Sequence, residues 1–284
     1  MDNSKLKIYE TVKDFSVSKQ TFGLYHDTKL DMLITFPKPT EMELPTYYES
    51  DDYISHTDSK RSMFEKVYHY IKTIALKNKL ALINDLHSEK GSLLDIGAGT
   101  GEFLNVAKQN GWNVLGVEPN QKAKENAIKK GVPFAENTTI LENNSFDVVT
   151  MWHVLEHVPD LDFQIKELKR LLKPNGTILI AVPNFKSYDA KHYGNYWAAY
   201  DVPRHLWHFS KTSIKLLFDK QGMKLVKVLP MKFDAFYVAL LSEKYRKGKM
   251  NIISAFLVGL KSNFLGKRNS EYSSHIYVIK NTKN

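Results

Sequence analysis

The run Leu94-Asp95-Ile96-Gly97-Ala98-Gly99-Thr100-Gly101-Glu102 sets three glycines at alternate positions after a short apolar stretch, with a carboxylate inside that stretch. Glycine lets a backbone approach a ligand closely and take conformations that other residues resist. The first strand-to-helix turn of a doubly wound sheet is where nucleotide-like ligands sit. The spacing is G-x-G-x-G, with Glu102 where a dinucleotide fingerprint would carry its last glycine. A carboxylate at Asp95 repels a pyrophosphate and suits an ammonium group. Glu118, 23 residues further on, closes the next apolar stretch; there it can accept both ribose hydroxyls of an adenosine and disfavours a 2′-phosphate. Acid, glycines and acid in this register point to an adenosine joined to a cationic amino acid. Walker A spacing is absent, which excludes a P-loop NTPase.

A second group of reactive residues is Trp152-His153-Val154-Leu155-Glu156-His157. Histidine is the usual general base near neutral pH, and His153 and His157, four apart, share a face if the segment is helical. H-x-x-E-H also reads as an inverted zinc-peptidase motif. That motif needs a long helix and a further ligand, whereas this one follows a strand and meets Pro159. No metal is assigned; His157 and His153 are expected as a metal-free base or as hydrogen-bonders of a substrate. A third group lies in Asp201–His208. His205 joins the candidate bases, His208 is expected to face a substrate, and Arg204 either binds a substrate carboxylate or phosphate or pairs with Asp201. The aromatic loop Tyr47–Tyr53 is expected either to pack the lead-in or to close over the pocket, with Tyr53 toward the acceptor.

Strands and helices in alternation must position these groups. Apolar runs at Ser92–Ile96, Asn113–Glu118, Val132–Ala135, Phe146–Trp152 and Thr177–Val182 read as strands. Glu102–Gln109, Asn120–Lys130 and Leu161–Leu172 read as intervening helices, and Lys173-Pro174-Asn175-Gly176 as a turn. This pattern requires a mostly parallel sheet covered on both faces, an α/β fold. Before it, apolar residues from Phe64 to Leu82 recur with a helical period, so Asp58–Leu86 is one long helix or two joined ones. Thr21–Tyr25 and Met32–Phe36 form a strand-and-loop lead-in. After it, Lys211–Lys220 is a helix, Met223–Leu229 a sixth strand, 235–262 a basic helical stretch and His275–Lys280 a final strand. The expected division is a lead-in over 1–57, a core over 58–230 and a basic helical cap with the last strand over 231–284.

These residues resemble the class I S-adenosylmethionine-dependent methyltransferases. Phe146–Val158 is similar to that family's fourth strand and following segment, Leu171–Thr177 to its turn into strand five, and Tyr196–Ser210 to a segment of the ubiquinone-type and polysaccharide-pathway O-methyltransferases. The resemblance covers about residues 60–230. It implies a Rossmann-like doubly wound sheet of seven strands with the last one antiparallel, and S-adenosylmethionine as cofactor with S-adenosylhomocysteine as product. Asp95, Gly97, Ala98, Gly99 and Gly101 would line the methionine moiety, Glu118 and Pro119 the ribose, and Trp152 the methyl. Around strand three the sequence departs from the family pattern, and Asn137 is the expected adenine contact. Some ubiquinone-type relatives carry E-x-x-E-H with a divalent metal where His153 stands here. No [DN]-P-P-[YF] motif follows strand four, which disfavours DNA base methylation and favours an oxygen acceptor.

The 284 residues carry 40 Lys+Arg against 31 Asp+Glu, a net charge of +9, and no cysteine. Disulfides, zinc ribbons and thiol nucleophiles are thereby excluded. No apolar run approaches the length of a membrane span, and the stretch MDNSKLKIYE lacks the apolar h-region of a signal peptide; the expected location is cytoplasmic, with peripheral membrane contact through the basic end as an alternative. Residues 231–284 hold 10 basic against 3 acidic side chains, a charge that recruits an anionic substrate or touches an acidic membrane face. The apolar stretch Ile252–Leu260 within it is expected to pack as core or cap. The expected activity is methyl transfer to a hydroxyl of a small molecule, a glycan or a lipid-linked intermediate. Nucleic acid is disfavoured as a partner. A nicotinamide-dependent oxidoreductase shares the sheet and stays open at this point, as does a non-catalytic module that keeps the cofactor pocket.

Overall fold

A computed structural model describes residues 6–40, 42–48 and 63–282. The chain opens with β1 (Leu6–Lys13), β2 (Thr21–Asp27) and β3 (Met32–Phe36), followed by a short 3-10 turn at Leu44–Tyr48 and the long helix α1 (Met63–Leu86). Then come β4 (Ser92–Ile96), α2 (Glu102–Gln109), β5 (Asn113–Val117), α3 (Gln121–Lys129), β6 (Phe134–Ala135) and β7 (Phe146–Trp152). After these follow α4 (Leu161–Leu171), β8 (Leu172–Pro183), α5 (Tyr188–Tyr193), β9 (Trp207–His208), α6 (Lys211–Asp219) and β10 (Met223–Pro230). The chain closes with α7 (Asp234–Lys247), α8 (Ile252–Asn269) and β11 (Ser274–Asn281).

Seven strands form one sheet in the order β10-β11-β8-β7-β4-β5-β6. The strands from β8 to β6 pair in parallel, and β11 runs antiparallel to both β8 and β10. This is the doubly wound sheet with an antiparallel last strand that the sequence implied. Its strands are apolar at consecutive positions because both faces are covered. The faces separate by the two-residue period of a strand: Leu94, Val149, Ile178 and Ile180 enter one core, while Leu93, Val148 and Leu179 enter the other with Trp112 and Ile83 of α1. Each such side chain removed from water contributes about 1.5–3 kcal/mol.

Three local outcomes differ from the sequence reading. Lys173–Gly176, expected as a turn, lies within β8; opposite Phe146 stands Leu172 and opposite Val148 stands Thr177, so three extra residues bulge from the ladder there. The basic helical stretch is two helices, because Gly248 takes a left-handed conformation (φ 73°) that ends α7 and Asn251 caps α8 by accepting the Ser254 N–H. The large side chains of Ile252–Leu260 are mostly exposed rather than packed.

The lead-in is more ordered than its sequence suggested. β1 joins β2 and β3, and β9 closes the same antiparallel sheet against β3. Val12, Phe22, Leu24 and Leu33 of this sheet share one apolar core with Tyr193, Trp197 and Tyr200, and with Ala239, Leu240 and Ala255 of α7 and α8. A second layer is thereby assembled over the carboxyl ends of the main sheet.

Candidate functional site

The glycine turn follows β4 directly. Gly97, Gly99 and Gly101 all have positive φ (72°, 52° and 69°), where a side chain is strained. Their surroundings differ. A Cβ on Gly97 would stand 2.3 Å from Val154 and one on Gly101 2.6 Å from Ala127, whereas one on Gly99 would have none of the described residues within 4 Å. The outer glycines are therefore packed and the middle one opens a space beside the backbone. Ala98 donates its N–H to Val117 O at 3.1 Å and ties the turn to β5. Glu118, one residue past β5, accepts the Gly99 N–H at 2.8 Å on one oxygen and the Asn120 N–H at 2.9 Å on the other; Pro119 stands between the two. Both carboxylate oxygens are aimed by the backbone and keep lone pairs for further donors.

Asp95 lies beneath the turn, buried, accepting the Thr150 hydroxyl at 2.6 Å. Burial pushes it up to about 7, with Glu118 adding to the rise against Thr150 and the Lys79 charge. Lys79, on α1, holds its ammonium 4.3 Å from the Trp152 ring centroid, and burial lowers its pKa against the pull of Asp95 and Asp234. Trp152 ends β7 with its ring edge-on to Phe103, and its buried indole N–H has no partner among the described residues. An open glycine, an aimed carboxylate and an unpaired indole N–H suit a ligand carrying ribose hydroxyls and an amino acid head. Asn137 lies just past β6, exposed, with its Oδ1 spent on the Thr139 N–H and hydroxyl at 3.0 and 2.7 Å.

The histidines converge at the carboxyl end of β7. His153 is in the left-handed region (φ 57°), and its two ring nitrogens lie 3.3 Å from Glu156 Oε1 and 3.0 Å from Asp234 Oδ2. Burial alone would lower its pKa, but the Asp234 and Glu156 charges outweigh it and hold the ring protonated, up to about 10. An imidazolium with both nitrogens engaged cannot accept a proton, so the geometry gives His153 the part of a cationic strut. His157 is the reverse case: burial, then His205 beside it, pushes it down to about 4. Its Nδ1 lies 3.0 Å from the Tyr48 hydroxyl and 3.1 Å from Arg204 O.

His205 stacks edge-on to His157 with centroids 4.5 Å apart. Its Nδ1 lies 2.9 Å from Ala199 O; a carbonyl only accepts, so Nδ1 carries a hydrogen. Its Nε2 lies 4.0 Å from Glu156 Oε1 and 3.9 Å from Asp201 Oδ2. Glu156 is almost wholly buried; burial opposes its charge, yet His153 and His205 hold it below the usual carboxylate range. The Arg204 guanidinium pairs with Asp201 through two nitrogens and donates to Tyr47 O and to the Ser16 hydroxyl. Four of its five N–H groups are engaged within the protein, and it holds Asp201 at about 2 against burial. His208 is buried with its Nε2 3.0 Å from Thr35 Oγ1 and faces Tyr200 edge-on. Tyr53 lies outside the described residues. Among the described residues, one group has metal-ligand spacing: atoms of Glu156, His157 and His205 within 4.8 Å of one another.

Two groups escaped the sequence reading. Lys79 falls where the helical period of α1 places an inward residue, four after Ala75, and a lysine there was the available signal. Asp234 carried none, since an acid in a first helical turn is ordinary. The His153–Asp234 pair has a pH signature. His153 is raised above its unfolded value near 6.5, so its contribution to stability is full below that value and is lost as pH rises through about 10. Wild-type protein should lose thermal stability steadily from pH 7 to 10. In Asp234→Asn the His153 ring should titrate well below 10 by NMR and that slope should flatten; an unchanged His153 titration overturns the assignment.

The fold and the acid-flanked glycine turn define a class I S-adenosylmethionine-dependent methyltransferase. A family model described as a methyltransferase domain matches residues 63–228, and the chain belongs to that family. It is 34% identical over 129 residues to a ubiquinone biosynthesis O-methyltransferase of Pelagibacter ubique, covering 42% of this chain and 54% of that protein. To its counterpart in Bradyrhizobium diazoefficiens it is 30% identical over 152 residues, 49% of this chain and 60% of that one. The chain spans about half the length of the curated relatives it matches. The solved 1,6-didemethyltoxoflavin-N1-methyltransferase of Burkholderia thailandensis, with its substrate and S-adenosylhomocysteine bound, shares the fold over 96% of this chain and 100% of that one, with a TM-score of 0.54 and 15% identity.

Proposed function

We propose that this chain transfers a methyl group from S-adenosylmethionine to a hydroxyl of a small-molecule acceptor, with His205 as general base. The observation that carries the base assignment is the His205 ring, pinned at Nδ1 by Ala199 O with its Nε2 4.0 and 3.9 Å from oxygens of two carboxylates. When bound, S-adenosylmethionine supplies a methyl on a cationic sulfur that leaves as neutral S-adenosylhomocysteine. His205 Nε2 takes the hydroxyl proton as the acceptor oxygen forms its bond to the methyl carbon, and Glu156 and Asp201 stabilise the imidazolium that results. His157, pushed down to about 4, is too weak a base near neutral pH and lends shape to the pocket beside it. Glu118, Gly99 and Asp95 hold and orient the cofactor, which supplies much of the rate through proximity.

The reading extends to a hydroxyl carried on a glycan or lipid-linked intermediate. Radiolabelled methyl transfer to panels of phenolic, glycan and lipid-linked alcohols should label one of the three, and no transfer to any hydroxyl overturns the oxygen assignment. Titration calorimetry should give binding of S-adenosylhomocysteine and none of NAD(H). The reverse result would make the protein an oxidoreductase, and S-adenosylhomocysteine binding with no turnover would make it a binding module. A second reading, a divalent cation on Glu156, His157 and His205, is favoured by Glu156 Oε2, a buried oxygen without a hydrogen-bond partner among the described residues. Activity that survives a chelator supports the metal-free base; loss restored by added magnesium supports the cation.

A further inference from the structure

Helix α8 turns its small residues inward and its large ones outward. Ala255, Gly259, Ser262 and Gly266 are buried, and a Cβ on Gly259 would stand 2.5 Å from the Phe236 ring and one on Gly266 2.8 Å from Tyr272. The helix backbone therefore lies directly against those rings. Ile252, Ile253, Phe256, Leu257, Leu260 and Phe264 are all exposed, Ile253 by 75% and Ile252 by 64%. At 3.6 residues per turn these six fall within an arc of about 140°, a continuous apolar stripe of the kind that marks an interaction site.

Charge indicates what covers the stripe. Between Lys244 and Arg268 inclusive the chain has seven Lys and Arg and no Asp or Glu. Lys249, Lys261, Lys267 and Arg268 are exposed around the stripe, and Arg268 lies over the Phe264 ring at 4.5 Å. Apolar residues rimmed by one sign of charge match the boundary of an anionic bilayer, where the stripe meets acyl chains and the cations meet phosphates. A second copy docking stripe to stripe would bring like charges together. Among the described residues no helix is long and apolar enough to cross a membrane.

We propose that α8 docks this protein in the plane of an anionic lipid surface. The docked face is joined to the site through α7, whose first residue Asp234 pairs with His153 and whose Phe236 stacks on Phe256 at 5.6 Å. Docking itself needs neither cofactor nor turnover and stands apart from the methyl-transfer reading.

The test is co-sedimentation of the full chain with vesicles of mixed phosphatidylglycerol and phosphatidylcholine, and of phosphatidylcholine alone. Binding should be at least about tenfold tighter to the anionic vesicles and should weaken with salt. The variant Phe256→Ser/Leu257→Ser should lose at least about tenfold of that binding, and Lys267→Glu/Arg268→Glu should lose a similar factor by charge alone. Should the serine variant fail to fold, the charge variant decides. Calorimetry with S-adenosylhomocysteine on the same preparations reports the site separately. Equal binding to both vesicles, or binding unchanged in a folded variant, overturns the proposal. So does a wild-type dimer in light scattering that the serine variant abolishes while vesicles are ignored.

Discussion

His205→Gln should lower kcat by about 10²–10⁴, the usual contribution of a positioned general base, and leave the affinity for S-adenosylhomocysteine within about threefold. Glutamine keeps a polar group near Ala199 O but offers no lone pair of comparable basicity. The side chain sits on the segment before β9, away from the glycine turn, so cofactor affinity reports whether the damage is confined to proton transfer. His157→Asn is the control. The ring it removes is held neutral by burial and by its neighbour, so it should cost less than His205→Gln. A His205→Gln enzyme that retains its rate, beside a dead His157→Asn enzyme, exchanges the two roles.

Glu118→Ala should weaken S-adenosylhomocysteine by at least about 100-fold, since charge-assisted hydrogen bonds contribute about 1.5–3 kcal/mol each and one carboxylate can serve two hydroxyls. Its present partners, the N–H groups of Gly99 and Asn120 at 2.8 and 2.9 Å, fix both oxygens before any ligand arrives. Removing the carboxylate therefore costs the contacts and also frees the turn. Glu118→Gln should lie between, because one amide oxygen still accepts. Gly99→Ala supplies the complementary result: the added methyl meets no atom of the described residues within 4 Å, so lost affinity there reports the space a ligand needs and the strain of its positive φ. Calorimetry on the three variants, with melting temperatures alongside, measures all of this. Wild-type affinity in Glu118→Ala would remove the basis for assigning the cofactor.

The fold was legible wherever burial left a periodic mark. β4, α2 and β7 lie at the bounds the sequence suggested, because two-sided burial writes unbroken apolar runs and glycines punctuate their ends. The β8 bulge was hidden, since Lys-Pro-Asn-Gly carries every sign of a turn and the ladder absorbs it only through pairing with β7. The break between α7 and α8 was written in Gly248 and Asn251 but masked by helical composition on both sides.

The candidate site was half legible. The acid, glycine and acid pattern is local, and so is the neighbourhood of His153 and His157. Their division of labour is not local. His153 is held cationic by Asp234, from a distant helix, and His157 is kept neutral by His205, from the segment before β9. A one-dimensional reading ranks two histidines four residues apart as equivalent, and only the third dimension separates them.

Thr35, in the third strand of the small sheet, donates its hydroxyl to His205 O at 2.6 Å, and its N–H reaches Leu206 O at 3.1 Å. The proposed proton acceptor thus takes its bearing from a strand that is no part of the cofactor-carrying scaffold. Transplanting that scaffold alone onto another protein would carry the methyl donor but not the alignment of the group that receives the proton. Acceptor choice in this architecture can therefore drift through edits to the opening forty residues while the nucleoside cradle stays untouched.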